Sequence, residues 1–201
     1  LVEEILIATG NAPATALGLE AAGIAYDERS VAVNEFLQTS NPNVYAAGDI
    51  IGPYRYTHAA SYQGSVACRN MFGASKQTVD YRAMPRCVFT LPEVATVGLT
   101  EREAREEGIE VRTGRAEMEE NDRALTSDER AGFVKVLTDA EGVLIGGAVV
   151  GARAGEVVHE LALAVSERAI VMDRGRIVFE GPSSELRGDA AALGRIMGIA
   201  H

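Results

Sequence analysis

Asp49 is the residue whose type and position best fit ligand binding. It follows a run of small and apolar residues, 44–47, that the sequence predicts to be a strand. Gly48 lets the backbone approach a ligand closely, and the Asp49 carboxylate can accept hydrogen bonds from sugar or ribityl hydroxyls. In open α/β sheets, nucleotides bind at the carboxyl ends of strands. An ordinary turn aspartate is the alternative interpretation.

A second candidate lies at Thr57, His58 and Ala59. The sequence predicts Thr57 to cap a helix from about residue 58 to residue 72. The free amide groups and positive dipole end of such a helix can hold an anionic oxygen, although a simply capped helix is the alternative. Together with a predicted strand over residues 4–8 that stops at Thr9 and Gly10, these signals favour a nucleotide-type ligand.

Other chemistry-bearing patterns are missing from the sequence. It contains no G-x-G-x-x-G that opens a helix, no P-loop, no HExxH and no G-x-S-x-G. His159 and Glu160 are adjacent, so on a helix their side chains point about 100° apart and form no dyad. Cys68 and Cys87 are 19 positions apart, which fits neither a disulfide framework nor a zinc site. The sequence therefore predicts two buried, reduced thiols, no catalytic residue and no metal site.

Composition restricts the class of protein. The chain has 201 residues, a formal net charge of −10 and a hydrophobic fraction of 47%, which excludes a wholly disordered chain. The negative charge argues against nucleic acid and anionic membranes as partners. No apolar run approaches the roughly 18 residues of a membrane span. The two reduced thiols predicted above lead us to expect a cytoplasmic location.

Four segments follow from the pattern of predicted elements. Residues 1–75 combine short strands at 4–8, 31–33 and 44–47 with helices at 17–22 and 58–72, and residues 76–84 form a linker. Residues 85–165 contain mostly strands and end in a helix, which indicates an α+β domain. Its predicted strands are 87–90, 94–99, 110–118, 132–138 and 143–150, and its predicted helices are 100–108, opened by a Thr100/Glu103 capping box, and 156–165. Residues 166–201 form a tail.

Several motifs together resemble one family. They are residues 5–23 (ILIATG, Pro13 and LGLEAAG), 39–49 (TSNPNVYAAGD), 85–101 (PRCVFTLPEVATVGLTE), 132–136, 146–151 and 154–164. The sequence over residues 1–165 resembles the pyridine nucleotide–disulfide oxidoreductases, and within them the dihydrolipoamide dehydrogenase and mercuric-reductase-like branch.

The resemblance implies a fold, cofactors and a partner. The fold is α/β plus α+β: a remnant of an FAD/NAD(P)-binding Rossmann-like domain, then an α+β dimerisation domain that makes a homodimer. It implies that Asp49 contacts the ribityl or pyrophosphate part of FAD, with Gly48 as a further cofactor-binding residue. It also implies that amides at Thr57, His58 and Ala59 face the flavin C2 carbonyl. Gly10 is expected near a nucleotide, where the nicotinamide and flavin domains meet.

Departures from the family pattern limit the expected activity. Asn11 stands where the family has an arginine, and the glycine motifs for FAD and nicotinamide, the redox cysteine pair and the C-terminal His-Pro base are missing. We therefore expect a truncated portion of an FAD-dependent NAD(P)H:disulfide-type oxidoreductase, inactive alone and weak in binding FAD. The alternatives are a mercuric-reductase-like metal reductase and a non-catalytic dimerisation module. The second substrate and the choice of NAD or NADP stay open.

The tail suggests a second origin. Residues 166–186, with two predicted strands around residues 173–175 and a predicted helix start at Gly-Pro-Ser, resemble the last segment of ABC-transporter ATP-binding proteins. The sequence therefore predicts a chimera that changes family near Val165. A divergent tail with a coincidental hairpin is the alternative.

Overall fold

A computed structural model describes residues 4–10, 12–173 and 176–183. The chain divides into two compact units, Leu1–Val79 and Asp80–His201. The boundary lies inside the segment 76–84 that the sequence predicts to be a linker.

The first unit is built around one long helix. Helix α1 (Thr57–Phe72) buries a stripe at helical spacing, formed by Ala59, Gln63, Val66, Ala67 and Asn70. Val66 and Ala67 pack with Leu37 in one small core. A second small core contains Leu19, Ile24 and Val31. A 3-10 turn (Asp49–Ile51) precedes the helix.

Four predicted elements of the first unit are wrong. Residues 31–33 and 44–47 contribute only isolated bridges, and residues 17–22 form turns rather than a helix. Residues 4–8 form no strand, and Ile5, Leu6 and Ile7 are 79%, 92% and 78% exposed. A strand requires a neighbour to pair its backbone groups, and the described residues offer these segments no continuous partner.

Asn70 holds the chain after α1 on the first unit. Its buried side chain donates to the carbonyl oxygens of Phe36 and Gln77 at 2.9 and 2.8 Å and accepts from the Gln77 amide at 2.7 Å. The Val79 amide then donates to the Glu35 carbonyl at 3.1 Å. Part of the predicted linker therefore belongs to the first unit.

The second unit is an antiparallel sheet with helices, as an α+β domain requires. The strand order is β1-β2-β5-β4-β3, and every neighbouring pair is antiparallel. The strands are β1 (Arg86–Val88), β2 (Glu93–Gly98), β3 (Arg112–Glu117), β4 (Phe133–Thr138) and β5 (Leu144–Gly151). The helices are α2 (Glu101–Glu106), α3 (Asp122–Thr126) and α4 (Ala154–Val165). All five predicted strands are present within a few residues of their predicted ends; α3 was not predicted.

The core of the second unit lies between the sheet and α4. Ala95, Val97 and Val149 are buried against Ala154 and Val158 of the helix. The alternation of buried residues along β2 has the period of two that a sheet with one packed face requires. The α+β part of the predicted fold class is confirmed by this sheet and α4.

A separate hairpin follows α4. Strand β6 (Arg168–Asp173) pairs antiparallel with β7 (Arg176–Pro182). This agrees with the two strands predicted around residues 173–175. The helix predicted after Pro182 falls almost entirely outside the described residues.

Candidate functional site

Gly48 has a backbone conformation that favours glycine. Its φ is 82° and its ψ is −156°, a region that residues with a Cβ avoid. The residue is buried, and a Cβ placed on it would lie 3.4 Å from the Cβ of Ala60 in α1. The sequence predicts close backbone approach at Gly48, and here the approach is to the helix.

Gln63 holds Gly48 in this position. Its side-chain oxygen Oε1 accepts a hydrogen bond from the Gly48 amide at 2.7 Å, and only 2% of Gln63 is exposed. Gln63 lies on the same face of α1 as Ala59 and Ala67, four residues from each. The sequence interpretation missed Gln63, although a glutamine on an otherwise largely apolar face is a signal that could have found it.

Asp49 is exposed immediately after this anchored glycine. It begins the 3-10 turn, in which the Ile51 amide donates to the Gly48 carbonyl at 3.1 Å. Among the described residues, no group donates a hydrogen bond to the Asp49 carboxylate. Asp27, by contrast, accepts from the amides of Arg29 and Ser30 at 2.7 Å, as a turn aspartate does. Asp49 is exposed, so its side chain is accessible to a ligand.

The start of α1 differs from its predicted form. The helix begins at Thr57 itself, and the N-cap is Tyr56, whose side chain makes no capping hydrogen bond. The correction has a local cause, because Tyr56 has the extended conformation of an N-cap (φ −129°, ψ 144°). His58 is exposed, and its ring stacks on Tyr56 with centroids 5.5 Å apart. The first intrahelical bond runs from the Ala60 amide to the Tyr56 carbonyl.

The structure brings most of the candidate residues together but not all of them. Gly48 and Asp49 are tied to α1, which carries Thr57, His58 and Ala59. Gly10 instead lies in the exposed segment 4–10, with φ of 123° and no heavy atom within 4 Å of a Cβ built on it.

The cysteines and His159 have no shared site. Cys68 and Cys87 are free thiols, but Cys68 is exposed and Cys87 is half-buried, so the prediction of two buried thiols is wrong. Cys68 is on the solvent side of α1, next to the buried Ala67. Burial and the Glu93 carboxylate raise the pKa of Cys87. His159 is an exposed residue of α4.

Neither a metal-binding cluster nor a membrane-spanning helix occurs in the residues that the structure describes. Within residues 4–10, 12–173 and 176–183, no three His, Cys, Asp or Glu side chains are grouped to hold a metal ion. In the same residues, none of the helices has the length and apolar character that crossing a bilayer requires. A cleft of about 540 Å³ lies beside α2 and β3, and none of the candidate residues lines it.

Comparison with protein families connects both units to one family. Residues 1–64 match "Pyridine nucleotide-disulphide oxidoreductase", and residues 84–189, more than half of the chain, match the dimerisation domain of the same family. The chain belongs to the pyridine nucleotide-disulphide oxidoreductases. The resemblance of residues 1–165 to this family is therefore confirmed, and the family is one of enzymes that use FAD and NAD(P)H.

Curated relatives include both kinds that the sequence suggested. The chain is 40% identical over 167 residues to a mercuric reductase from Staphylococcus aureus, which covers 81% of this chain and 30% of that protein. It is 42% identical over 186 residues to a dihydrolipoyl dehydrogenase from Thermus scotoductus, which covers 91% of this chain and 40% of that protein. The chain spans about a third of the length of such relatives.

Solved structures of the family have the same fold over most of the chain. LpdA from Mycobacterium tuberculosis is 33% identical with a TM-score of 0.68, over 76% of this chain and 34% of that one. RclA, an HOCl-induced flavoprotein disulfide reductase from Escherichia coli, is 27% identical with a TM-score of 0.70, over 79% of this chain and 37% of that one.

Proposed function

We propose that this chain supplies part of the FAD site and the dimer contacts of an FAD-dependent NAD(P)H:disulfide-type oxidoreductase similar to dihydrolipoamide dehydrogenase. Family membership supports the reaction class. The observation that carries the proposal for the chain itself is the Gly48–Asp49 turn. There a buried glycine is fixed to a helix and the next carboxylate is left open to solvent.

The residues present fit one part of FAD. The carboxylate of Asp49 would accept hydrogen bonds from ribityl or ribose hydroxyls, because it is acceptor-only when ionised. The first amides of α1, at Thr57, His58 and Ala59, would lie near the flavin C2 carbonyl, since a helix N-terminus stabilises negative charge. FAD, when bound, supplies hydride acceptance and electron transfer. Gly10 and a nicotinamide contact stay a prediction, and the exposed segment 4–10 adds no support.

A homodimer is the partner we propose. The dimerisation-domain match over residues 84–189 supports it. Sheet and helix in this unit form a core of their own, around Ala95, Val149 and Val158, that can present a fixed surface to a second copy. Sedimentation velocity of the full chain at micromolar concentration tests the proposal. We expect a species of twice the chain mass, and a monomer across that range would contradict it.

A mercuric-reductase-like metal reductase is the second candidate. It is favoured by the identities of 40% and 39% to two mercuric reductases, which are as high as those to several dihydrolipoyl dehydrogenases. Both candidates use the same flavin chemistry, so the residues proposed for FAD are common to them.

Two further predictions stay proposals. A cytoplasmic location agrees with the free thiols of Cys68 and Cys87. An ABC-ATPase-like origin of residues 166–201 agrees with the β6–β7 hairpin. The continuation of the family match to residue 189 weighs against a change of family at Val165.

Titration of the full chain with FAD tests the flavin site. We expect weak but saturable binding, followed by flavin fluorescence, and a loss of about tenfold in affinity for Asp49→Ala, because charge-assisted hydrogen bonds are lost. Asp27→Ala is the matched control, since this aspartate accepts only from its own turn. Equal affinity of wild type and Asp49→Ala would contradict the proposed role of Asp49. Stoichiometric FAD in the purified chain would contradict the expectation of weak binding.

A further inference from the structure

Gln63 links the two halves of the proposed flavin site. It lies in α1, whose first residues form one half, and its Oε1 accepts from the Gly48 amide beside Asp49, which forms the other. We propose that Gln63 is a positioning residue for FAD: it sets the Asp49 turn at a fixed place relative to the start of α1. This inference rests on the proposed function.

The position of Gln63 along the helix makes such a link effective. It lies six positions after Thr57, a distance of about 9 Å along the axis at 1.5 Å per residue. The hydrogen bond therefore joins the second turn of α1 to the backbone amide of Gly48, the residue immediately before Asp49.

The burial of this contact makes it specific. Gln63 is 2% exposed and Gly48 is buried, so an amide that loses its acceptor there stays unsatisfied or the turn moves out. Glycine at position 48 gives the turn several possible backbone conformations, because glycine has more accessible backbone states than other residues. A side chain that selects one of those states orders the turn before a ligand arrives, which removes part of the cost of binding.

FAD would be sensitive to this link because it is one molecule that meets both halves. When two contacts belong to one ligand, the second forms at a high effective concentration only if the spacing is right. Release of the Asp49 turn from α1 should therefore weaken FAD binding even though neither Asp49 nor the helix start is changed.

Asn70 provides a matched control on the same helix. It is also a buried amide, 5% exposed, and its side chain makes three hydrogen bonds to Phe36 and Gln77. It lies two turns further from Thr57 than Gln63 does and contacts neither Gly48 nor Asp49 in those bonds. Its loss should lower stability without changing the spacing of the two halves.

The test compares four full-length chains: wild type, Gln63→Met, Gln63→Glu and Asn70→Leu. Methionine is close in size to glutamine but lacks a strong acceptor. The introduced carboxyl of Gln63→Glu keeps an acceptor oxygen in place whichever protonation state burial imposes on it. FAD affinity is measured by flavin fluorescence, and the urea midpoint of each variant is measured by circular dichroism.

We expect Gln63→Met to raise the FAD Kd about tenfold and Gln63→Glu to restore it to within about threefold of wild type. Asn70→Leu should lower the urea midpoint at least as much as Gln63→Met and leave the Kd unchanged. If Gln63→Met loses cooperative unfolding, Gln63→Ala, which leaves space for a water, replaces it in the comparison. We expect the same rise of about tenfold in its FAD Kd.

Two failures are distinguishable. If wild type binds FAD and Gln63→Met binds it equally well, or if Asn70→Leu weakens binding as much, Gln63 is only a structural residue and the inference is overturned. If wild type shows no saturable binding at all, the proposed flavin site fails and the positioning role fails with it. Hydrogen exchange of the Gly48 amide, faster in Gln63→Met than in wild type, then reports whether the contact itself exists in solution.

Discussion

The carboxylate of Glu93, at the start of β2, accepts a hydrogen bond from the amide of Gly155 at the start of α4, 3.0 Å away and 62 positions along the chain. The N-cap of this helix, Arg153, has a left-handed conformation with φ of 58° and supplies no side-chain cap. A residue from the sheet therefore provides the negative charge that a helix N-terminus favours. This contact fixes one end of α4, which packs on β2 and β5.

Replacement of Glu93 should destabilise the second unit. Glu93→Ala removes an acceptor from a helix N-terminus, and we expect the free energy of unfolding to fall by about 1–2 kcal/mol in urea denaturation. Glu160→Ala, at an exposed position of the same helix, is the control and should change it by less than about 0.5 kcal/mol. Equal effects of the two substitutions would show that Glu93 does not cap α4.

Glycine substitutions in the first unit should have opposite signs. Gly48→Ala forces a Cβ into a backbone region with φ of 82° and ψ of −156°, and we expect a loss of about 1–3 kcal/mol. Gly64→Ala places its Cβ in open space within α1, and we expect a gain of up to about 1 kcal/mol. Urea midpoints of both variants check this, and a Gly48→Ala variant as stable as wild type would contradict the described turn.

The loss of stability on replacing a glycine of the sheet by alanine should depend on the atoms that the new Cβ meets. A Cβ on Gly146 would lie 2.0 Å from the Leu99 carbonyl oxygen. This oxygen belongs to the backbone, so it cannot move away without displacing the chain. We expect Gly146→Ala to cost about 3 kcal/mol or more in thermal or urea unfolding. Gly114→Ala on the edge strand β3 meets only a Val136 methyl at 3.1 Å, so its cost should be below about 1 kcal/mol. Similar costs at the two positions would be evidence against the described strand packing.

The capping box of α2 predicts a pH dependence. Hydrogen bonds from the Thr100 hydroxyl and amide lower the pKa of Glu103 below its usual value. A carboxyl with a lower pKa in the folded state adds stability that is present above its unfolded pKa of about 4.3 and is lost as the pH falls through the folded pKa.

Glu103→Gln tests this dependence, because glutamine keeps a capping box but does not titrate. We expect wild type to be more stable than Glu103→Gln near pH 6, with the difference shrinking as the pH falls below about 4. Urea unfolding at a series of pH values measures it. A difference that stays constant down to pH 2.5 would contradict the lowered pKa. Thr100→Ala should cost about 1 kcal/mol at neutral pH.

The two thiols should react at different rates. Cys68 is exposed on α1, whereas Cys87 is half-buried and has a pKa raised by burial and by Glu93. Since the thiolate is the reactive form, we expect a maleimide at pH 7 to modify Cys68 at least about tenfold faster. Glu93→Gln removes the nearby charge and should shift the pH profile of Cys87 modification to lower pH. Mass spectrometry with time locates each adduct, and faster modification of Cys87 would contradict the described burial.

The difference between the two units shows where sequence patterns are sufficient. Strands β2 and β5 could be predicted because short apolar runs with glycine boundaries reflect a sheet completed within residues 86–151. The segments 4–8 and 44–47 have equally apolar sequences but form no strands, because strand formation depends on a partner that pattern alone does not reveal.

Local features could be predicted from the sequence where they depend only on residues close together in the chain. The capping box at Thr100 needs only the three-residue spacing between Thr100 and Glu103. The family motif that ends at Asp49 was also readable. These features are set within a few residues, so the sequence by itself determined them.

Tertiary structure alone decided which distant residues meet. The bonds from Gly48 to Gln63, from Gln77 to Asn70 and from Gly155 to Glu93 join residues 15, 7 and 62 positions apart. Each satisfies a backbone amide with a side-chain acceptor whose place depends on packing between elements. A polar group removed from water must find a partner, and only the folded chain determines which one lies within reach.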